Sequence, residues 1–430
     1  MAATPANEPM LAEEGKAFDI VAHGHKDVVQ AIAFNAYGDR CATGSVDGKI
    51  RVFNRHRDGA WRMCDNWGAH GGEILELQWL PPTVYPNLLA SLGIEGRFKL
   101  WAEDPSAAPG RRFSSRGANG KAAYESRSSR HPYRSFSIKH DEATRYTYFA
   151  LLASDGHLSV HESEEPETIA DYAKIDDFQA CSKPNRGEET CFKVRFDPNP
   201  EPCYTALRAG VPTDALSLVV AGMDAVKVFR TRDTVTSSFG AATRAREFYL
   251  AIEITGHKGL VRDVAWAPGN YRGYDMVATA CQDGYVRVFR LDTPFSSDDD
   301  GKTWSAADVT GAGKLDENFQ SSSTKSGGGG RARALSHPLS GIRAEIDKSG
   351  THGERTSTGQ PGQIAHRSKE LSKLDLHKTP VWRVGFDDDG QILGSVGDDG
   401  KLICYRQTPG GTWAKSSELG MMKARMAIVP

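Results

Sequence analysis

The stretch GHKDVVQAIAFNAYGDRCATGSVDGKIRVFN, residues 24–54, decides the fold of this chain. It contains an alternating apolar segment (Val28–Phe34), a segment of small residues (Cys41–Ser45), a tight Asp-Gly turn, and a segment that ends in the aromatic Phe53. An Asp-Gly turn joins adjacent antiparallel strands, and alternate residues after it share one face of the strand. The stretch therefore predicts three strands of one antiparallel sheet.

Five further copies of this unit follow along the chain of 430 residues. Each has a small-residue strand, a turn, and a strand that ends in an aromatic residue or His. The copies span Ile74–Trp101, Tyr148–His161, Cys191–Phe229, Val261–Phe289 and Val381–Tyr405. A His or Gly-His before the unit, with an acid-Gly turn and an aromatic residue after it, is typical of WD repeats. The sequence therefore predicts an all-β fold, a six-bladed WD-repeat β-propeller.

Buried polar residues of each unit are expected to lock its blade through hydrogen bonds, which is a structural and not a catalytic role. A His before the first strand would bond a hydroxyl in the second strand and an acid in the turn, next to the terminal aromatic residue. The predicted members of this network are His25, Ser45, Asp47, Phe53, His70, Ser91, Trp101, His257, Thr279, Asp283, Phe289, His377, Ser395, Asp399 and Tyr405.

The predicted strands do not match those of a ring that closes on itself. Each blade needs a fourth, outer strand, and the candidates lie at 61–67, near 134–138, and at 168–174, 248–254, 372–376 and 412–418. The last candidate completes the sixth blade, so the N-terminal strand FDIVA, residues 18–22, is left over. It would be the outer strand of a seventh blade whose three inner strands a partner supplies by strand donation. The alternative is a self-closed ring with 18–22 as a loose flap.

An open ring exposes apolar sheet faces, which proteins normally cover. Blades one and six flank the predicted gap. The predicted partner interface consists of Phe18, Ile20, Val28, Ile32, Ile50, Val52, Val381, Val384 and Leu402.

Enzymatic chemistry is not indicated. The formal charge of −2 does not favour a general polyanion binder. The seven cysteines form no C-x-x-C pair, and nucleophile-elbow, phosphate-loop and zinc motifs are missing from the sequence. We therefore predict no catalytic residue, no cofactor and no metal. Without a signal peptide or an apolar run of membrane-spanning length, the chain is expected to be soluble, and cytosolic or nuclear.

Low-complexity segments interrupt the predicted domain, residues 17–420. Residues 1–16 and the tail 421–430 are expected to be disordered or peripheral, and the Ser/Gly-rich insert 292–370 is expected to be disordered, with one ordered piece near 334–346. A Ser-rich loop, 103–139, carries eight basic residues from Arg111 onward against one acid. It would contact nucleic acid or an anionic membrane, be phosphorylated at Ser114, or simply be a solvated loop.

Two of the repeats resemble a known family. The stretch quoted first, and HKTPVWRVGF with GDDGKLICY and a later Trp413 in the sixth repeat, resemble the Seh-type WD-repeat nucleoporins of the Y-shaped nuclear pore scaffold. The likeness covers residues 18–290 and 371–420, and the vesicle outer-coat propeller is a close relative. The resemblance implies an open propeller completed by a blade from an α-solenoid nucleoporin, with other Y-complex subunits as further partners. It also implies a place in the nuclear envelope and in a TOR-regulating complex at the vacuole or lysosome.

Two departures from the family pattern are expected to weaken the buried networks: Glu95 replaces the usual Asp, and the turn at Asp224 is short. The leading interpretation is a structural scaffold subunit with no specific nucleic-acid partner and no integral membrane segment. A vesicle-coat cage propeller and a peptide-binding WD adaptor, such as a ubiquitin-ligase substrate receptor, stay open as alternatives. The long inserts favour the nucleoporin branch over the coat branch.

Overall fold

Six four-stranded antiparallel sheets make up the fold, as predicted for a six-bladed propeller. The computed structural model describes residues 21–84, 87–113, 121–166, 168–238, 241–269, 272–296, 303–304 and 364–420. The predicted N-terminal segment 1–16, Phe18, Ile20, Ser114, the piece 334–346 and the tail 421–430 lie outside these residues.

The first three blades follow one another along the chain. Blade one contains β1 (Val29–Phe34), β2 (Arg40–Ser45), β3 (Lys49–Arg55) and β4 (Trp61–Gly68). Blade two contains β5 (Ile74–Trp79), β6 (Leu88–Gly93), β7 (Arg97–Ala102) and β8 (Tyr124–Arg127). Blade three contains β9 (Tyr133–His140), β10 (Thr147–Ala153), β11 (His157–Ser163) and β12 (Tyr172–Gln179).

The last three blades follow in the same order, with long connections inside blades four and five. Blade four contains β13 (Phe192–Phe196), the short helix α1 (Tyr204–Arg208), β14 (Ser217–Gly222), β15 (Ala225–Ser238) and β16 (Ala241–Ile254). Blade five contains β17 (Val261–Trp266), β18 (Asp275–Cys281), β19 (Val286–Asp292) and, after a small hairpin of β20 (Phe295–Ser296) and β21 (Thr303–Trp304), β22 (Arg367–Leu374). Blade six contains β23 (Val381–Phe386), β24 (Ile392–Gly397), β25 (Lys401–Gln407) and β26 (Trp413–Gly420).

The small-residue strands and the Asp-Gly turns have a common physical cause, which is close packing between blades. Strands β6 and β14 are buried along their whole length, because a neighbouring blade covers each of their faces. In the first turn, Gly48 has a φ of +74°, and a Cβ there would lie 2.5 Å from the carbonyl oxygen of His70. Only glycine combines that backbone conformation with so close an approach.

Three sequence expectations need correction. Residues 134–138 do not form the outer strand of blade two but belong to β9, the innermost strand of blade three, and β8 is the outer strand of blade two. Strand β22 begins at Arg367, inside the predicted disordered insert 292–370, because its pairing with β19 extends to Asp292. The predicted basic loop 103–139 likewise contains β8 and most of β9.

The ring has an open side between blades one and six. Successive inner strands pack against each other from β1 to β5 and on through β9, β13 and β17 to β23. Within the described ranges, β23 and β1 do not pack together in this way. Strand β26 pairs with β25 as the outer strand of blade six, the position that a self-closing N-terminal strand would take. No helix of the described part of the chain is long and apolar enough to cross a membrane.

Candidate interaction surface

Blade six contains a complete polar network that locks the blade internally. His377 Nε2 lies 2.7 Å from the hydroxyl of Ser395, which donates to the Tyr405 hydroxyl at 3.3 Å. His377 Nδ1 lies 3.0 Å from the carboxylate of Asp399. The four residues predicted for this blade are thus in mutual contact, and they tie the loop before β23 to β24, β25 and the intervening turn.

Blade two has the same network despite its unusual turn acid. His70 Nε2 lies 2.8 Å from the Ser91 hydroxyl, and the indole N–H of Trp101 donates to that hydroxyl at 2.8 Å. Glu95 bonds His70 Nδ1 at 2.6 Å, so the expected weakening of the network at this position is not seen. Burial lowers the pKa of His70 although Glu95 opposes this, and a neutral imidazole donates from Nδ1 to Glu95.

Blade one departs from the predicted network in its hydroxyl. His25 Nε2 bonds Thr43 at 2.8 Å and its Nδ1 lies 3.3 Å from Asp47, whereas the Ser45 hydroxyl donates to the carbonyl of Asp27. Thr43 occupies the same register position as Ser91 and Ser395, opposite the first strand, and alternate residues of a strand share a face. The hydroxyl lies four positions before the turn acid at Ser91, Thr279 and Ser395, and the same spacing before Asp47 selects Thr43 and not Ser45. Phe53 is buried beside the network and supplies no polar atom.

Blade five departs from the predicted network in the partner of its turn acid, Asp283. His257 Nε2 bonds Thr279 at 3.0 Å, but Asp283 pairs with the guanidinium of Arg287 at 2.6 Å and not with the imidazole. His257 Nδ1 has no hydrogen-bond partner among the described residues. Phe289 packs beside the imidazole with ring centroids 6.1 Å apart.

The open side of blade one is an exposed apolar face. Val28, Ile32 and Phe34 are 62%, 60% and 57% exposed, and Met63 lies exposed nearby on β4. Ala31 and Ala33 of the same strand pack towards blade two, so the alternate residues Ile32 and Phe34 face away from it. Val28 and Ile32 were predicted on this surface, whereas Phe34 and Met63 were not.

Four of the predicted interface residues are instead buried between neighbouring blades. Ile50 and Val52 are fully buried in the core that blade one shares with blade two. Val381 and Val384 are buried in the core that blade six shares with blade five. Every blade has two apolar faces. The alternation of residues along a strand does not show which of the two faces packs against a neighbouring blade.

The open side of blade six is smaller and less apolar. Ile403 and Tyr405 belong to the core against blade five, so the alternate residue Leu402 faces away from it, as predicted. Leu402 is half-buried and pairs with Leu419 on β26, which is 46% exposed. Leu419 was missed because it lies beyond the predicted end of the outer strand.

A buried carboxylate, Glu76, connects blades two, three and four. Glu76 on β5 accepts hydrogen bonds from the Ser135 hydroxyl at 3.0 Å, from the backbone N–H of Phe136 at 3.0 Å, and from Lys193 and Arg195 on β13. Burial opposes the ionisation of Glu76, but the charges of Arg195 and Lys193 outweigh burial and lower its pKa to about 2. Sequence reasoning missed this cluster, because its members come from different repeats.

The network continues from β13 to the last blade. Arg195 Nη2 lies 3.6 Å from a carboxylate oxygen of Asp263 on β17, and Asp263 accepts the backbone N–H of Val384 on β23 at 3.3 Å. Blade one has no member in this series of contacts. The polar network therefore holds blades two to six in a fixed arc.

Blade one is fastened by a separate segment, residues 103–113, which we call the strap. Glu103 accepts two hydrogen bonds from the Arg40 guanidinium, at 2.7 and 2.9 Å. Phe113 is buried, stacks on Trp67 at 5.2 Å between ring centroids, and donates its backbone N–H to the Asp65 carboxylate at 2.7 Å. The start of the predicted solvated loop is therefore a packed connection between blades one and two.

Metal-binding groups and cysteine thiols are further candidates for a functional site. Among the residues that the structure describes, no group of three His, Cys, Asp or Glu side chains is placed to hold a metal ion. All seven cysteines are free thiols, and burial raises the pKa of Cys181 to about 12. The exposed apolar side of the ring is thus the surface with the clearest capacity for interaction.

Comparison with known proteins agrees with this architecture. The family model "WD domain, G-beta repeat" matches residues 18–54, 249–290 and 368–406. Nucleoporin SEH1 of Chaetomium thermophilum is 50% identical, over 99% of both chains. Nucleoporin SEH1 of Saccharomyces cerevisiae is 25% identical over 90% of this chain and 94% of its own, and the human protein is 20% identical over 91% and 85%.

Proposed function

This chain belongs to the nucleoporin SEH1 family, and we propose that it is a structural scaffold subunit of the Y-shaped complex of the nuclear pore. In this proposal it pairs with an α-solenoid nucleoporin, which inserts a three-stranded blade into the open side of the ring. The N-terminal strand 18–22 adds the fourth strand of that blade. The proposal includes no catalytic role, in keeping with relatives that are named as nucleoporins.

The observation that carries the proposal is the exposed apolar face of blade one. Val28, Ile32 and Phe34 each expose more than half of their surface, on a side of the ring where no inner strand of the described residues packs against β1 in the way that β5 does on its other side. Burying a side chain of this size stabilises a complex by about 1.5–3 kcal/mol. A blade inserted between β1 and β23 would be covered on both faces, and permanent interfaces of this kind bury roughly 2,000 Å² or more.

The proposed location in the cell follows from the proposed membership of the Y-shaped complex. A subunit of the Y-shaped complex works at the nuclear envelope, in contact with other subunits of that complex. The family resemblance extends the proposal to a TOR-regulating complex at the vacuole or lysosome. The same open side would serve there, because blade insertion requires only a partner with three suitable strands.

Co-expression tests the proposal directly. We expect the full chain to aggregate when it is expressed alone and to be recovered as a stable complex with its α-solenoid nucleoporin. The variant Ile32→Glu places a charge where the inserted blade packs, since an unpaired buried charge is costly, and we expect recovery of the complex to fall about tenfold or more. Tyr37→Glu is the matched control, because Tyr37 is 73% exposed in the turn after β1.

Two results would contradict the proposal. One is a monodisperse, stable monomer in the absence of any partner. The other is an Ile32→Glu variant that is recovered with the α-solenoid nucleoporin as efficiently as the Tyr37→Glu control.

A further inference from the structure

A second surface lies away from the opening, at the seam between blades two and three. Residues 95–97, which lead from the turn after β6 into β7, and residues 127–132, which lead from the end of β8 towards β9, line an open pocket of about 690 Å³. Its wall contains three arginines, Arg97, Arg127 and Arg130, and a single aromatic ring, the imidazole of His131. The open side, by contrast, is flanked by blades one and six, so the two surfaces are separate.

The unpaired charges of this pocket are positive. Arg97 and Arg127 lie directly opposite each other on β7 and β8, an arrangement of like charges that is unfavourable unless an anion compensates it. Glu125 pairs with Arg97 at 2.7 Å, and Glu95 is engaged by His70. Arg127 and Arg130 are exposed and form no ion pair within the described residues.

The walls of the pocket are held in place before any ligand arrives. Gly96 has a φ of +75° and packs so closely on Pro132 that a Cβ would lie 2.4 Å from that ring. The Ser128 hydroxyl accepts the backbone N–H groups of Arg130 and His131 at 3.2 and 3.3 Å. A binding surface that is already ordered loses less entropy when its ligand binds.

We propose that this pocket binds an acidic, carboxylate-rich segment of a second partner protein. Arginine guanidinium groups bind carboxylates through paired hydrogen bonds. A nucleic-acid ligand is not favoured, because the lining offers one imidazole, that of His131 beside Asp155, and not the series of aromatic faces on which successive bases stack. The formal charge of the whole chain is −2, so the attraction is local to this pocket.

The test uses the full chain in complex with its α-solenoid partner and a fluorescein-labelled peptide of Glu-Glu-Gly repeats. Fluorescence anisotropy should show binding that weakens as salt is raised. The double variant Arg127→Glu/Arg130→Glu should lose about tenfold or more in affinity. The charge-matched control is Lys183→Glu/Arg186→Glu, two exposed positions in the loop before β13 that do not line the pocket.

The outcomes separate this proposal from the scaffold proposal. Recovery of the double variant in the complex at the wild-type yield, together with loss of the peptide, supports the pocket. Equal weakening in both double variants, or no binding by the wild-type complex, would overturn it. Binding of a phosphoserine peptide or of inorganic phosphate without binding of the Glu-rich peptide would also overturn it, and would assign the pocket to phosphate.

Discussion

The substitution Glu76→Gln tests whether one buried carboxylate holds the arc of blades together. Glutamine keeps the shape of the side chain and its oxygen can still accept from Ser135 and Phe136, but the charge opposite Lys193 and Arg195 is lost. Removing one partner of a buried ion pair leaves an uncompensated charge, which costs about 3–5 kcal/mol. We expect the free energy of unfolding to fall by this amount at neutral pH.

The pH dependence gives an independent check on the magnitude. The pKa of Glu76 falls from 4.5 to about 2 on folding. A carboxyl whose pKa is lowered by folding stabilises the protein above its unfolded pKa, and this stabilisation is lost as the pH falls towards the folded value. One pKa unit corresponds to about 1.4 kcal/mol, so this group contributes about 3 kcal/mol at neutral pH. The difference between wild type and Glu76→Gln should therefore shrink between about pH 5 and pH 2.

Urea unfolding of the full chain, followed by tryptophan fluorescence at submicromolar concentration, measures this difference at each pH. Glu142→Gln is the matched control, because Glu142 is exposed in the turn after β9 and should change the stability by less than about 0.5 kcal/mol. A Glu76→Gln variant that is as stable as the control at neutral pH would contradict the stabilising role of the buried carboxylate. A difference in the free energy of unfolding between variant and wild type that stays constant as the pH falls would also contradict that role.

Three further results are expected. Phe113→Ala should lower the free energy of unfolding by about 3–5 kcal/mol, because the ring is buried in the strap, and hydrogen exchange should accelerate in blade one more than in blade four. Ser395→Ala should cost about 1–3 kcal/mol in urea unfolding, since it removes a shared partner of His377 and Tyr405, and an unchanged midpoint would contradict the locking role of the network. Cys181 should resist iodoacetamide at about pH 8 in the folded chain and react after unfolding, because burial raises its pKa to about 12; mass spectrometry of the labelled peptide measures this.

The blade pattern was predictable because each repeat carries its own local signal. The Asp-Gly turn requires a positive φ at positions such as Gly48, and the small strand that precedes it fits between two neighbouring sheets. These constraints act within about thirty residues and recur with the repeat, so they are visible in one sequence. The register of His377 with Ser395 follows from the same local spacing.

Features that depend on contacts between repeats could not be read in this way. The strand β9 was assigned to the wrong blade because its His signal was overlooked: His131 lies two positions before β9, and its Nε2 lies 3.6 Å from Asp155 of the Asp-Gly turn in blade three. The buried faces of Ile50 and Val381 were mistaken for open ones, since alternation defines two faces without naming the neighbour of each. Glu76 looks like an ordinary surface glutamate in the sequence, and only the fold brings it to Lys193, more than a hundred positions later.

The strap has a consequence for how the chain would receive another protein. The terminal blade of an unclosed circle has one neighbour and would otherwise be the first to separate from it. The strap fastens blade one to blade two through Arg40, Glu103 and Phe113. The position of blade one beside the open side is therefore fixed before any partner binds. In the proposed complex, the inserted blade would pack against a wall that is already ordered, so little of its binding free energy would be spent on ordering that wall.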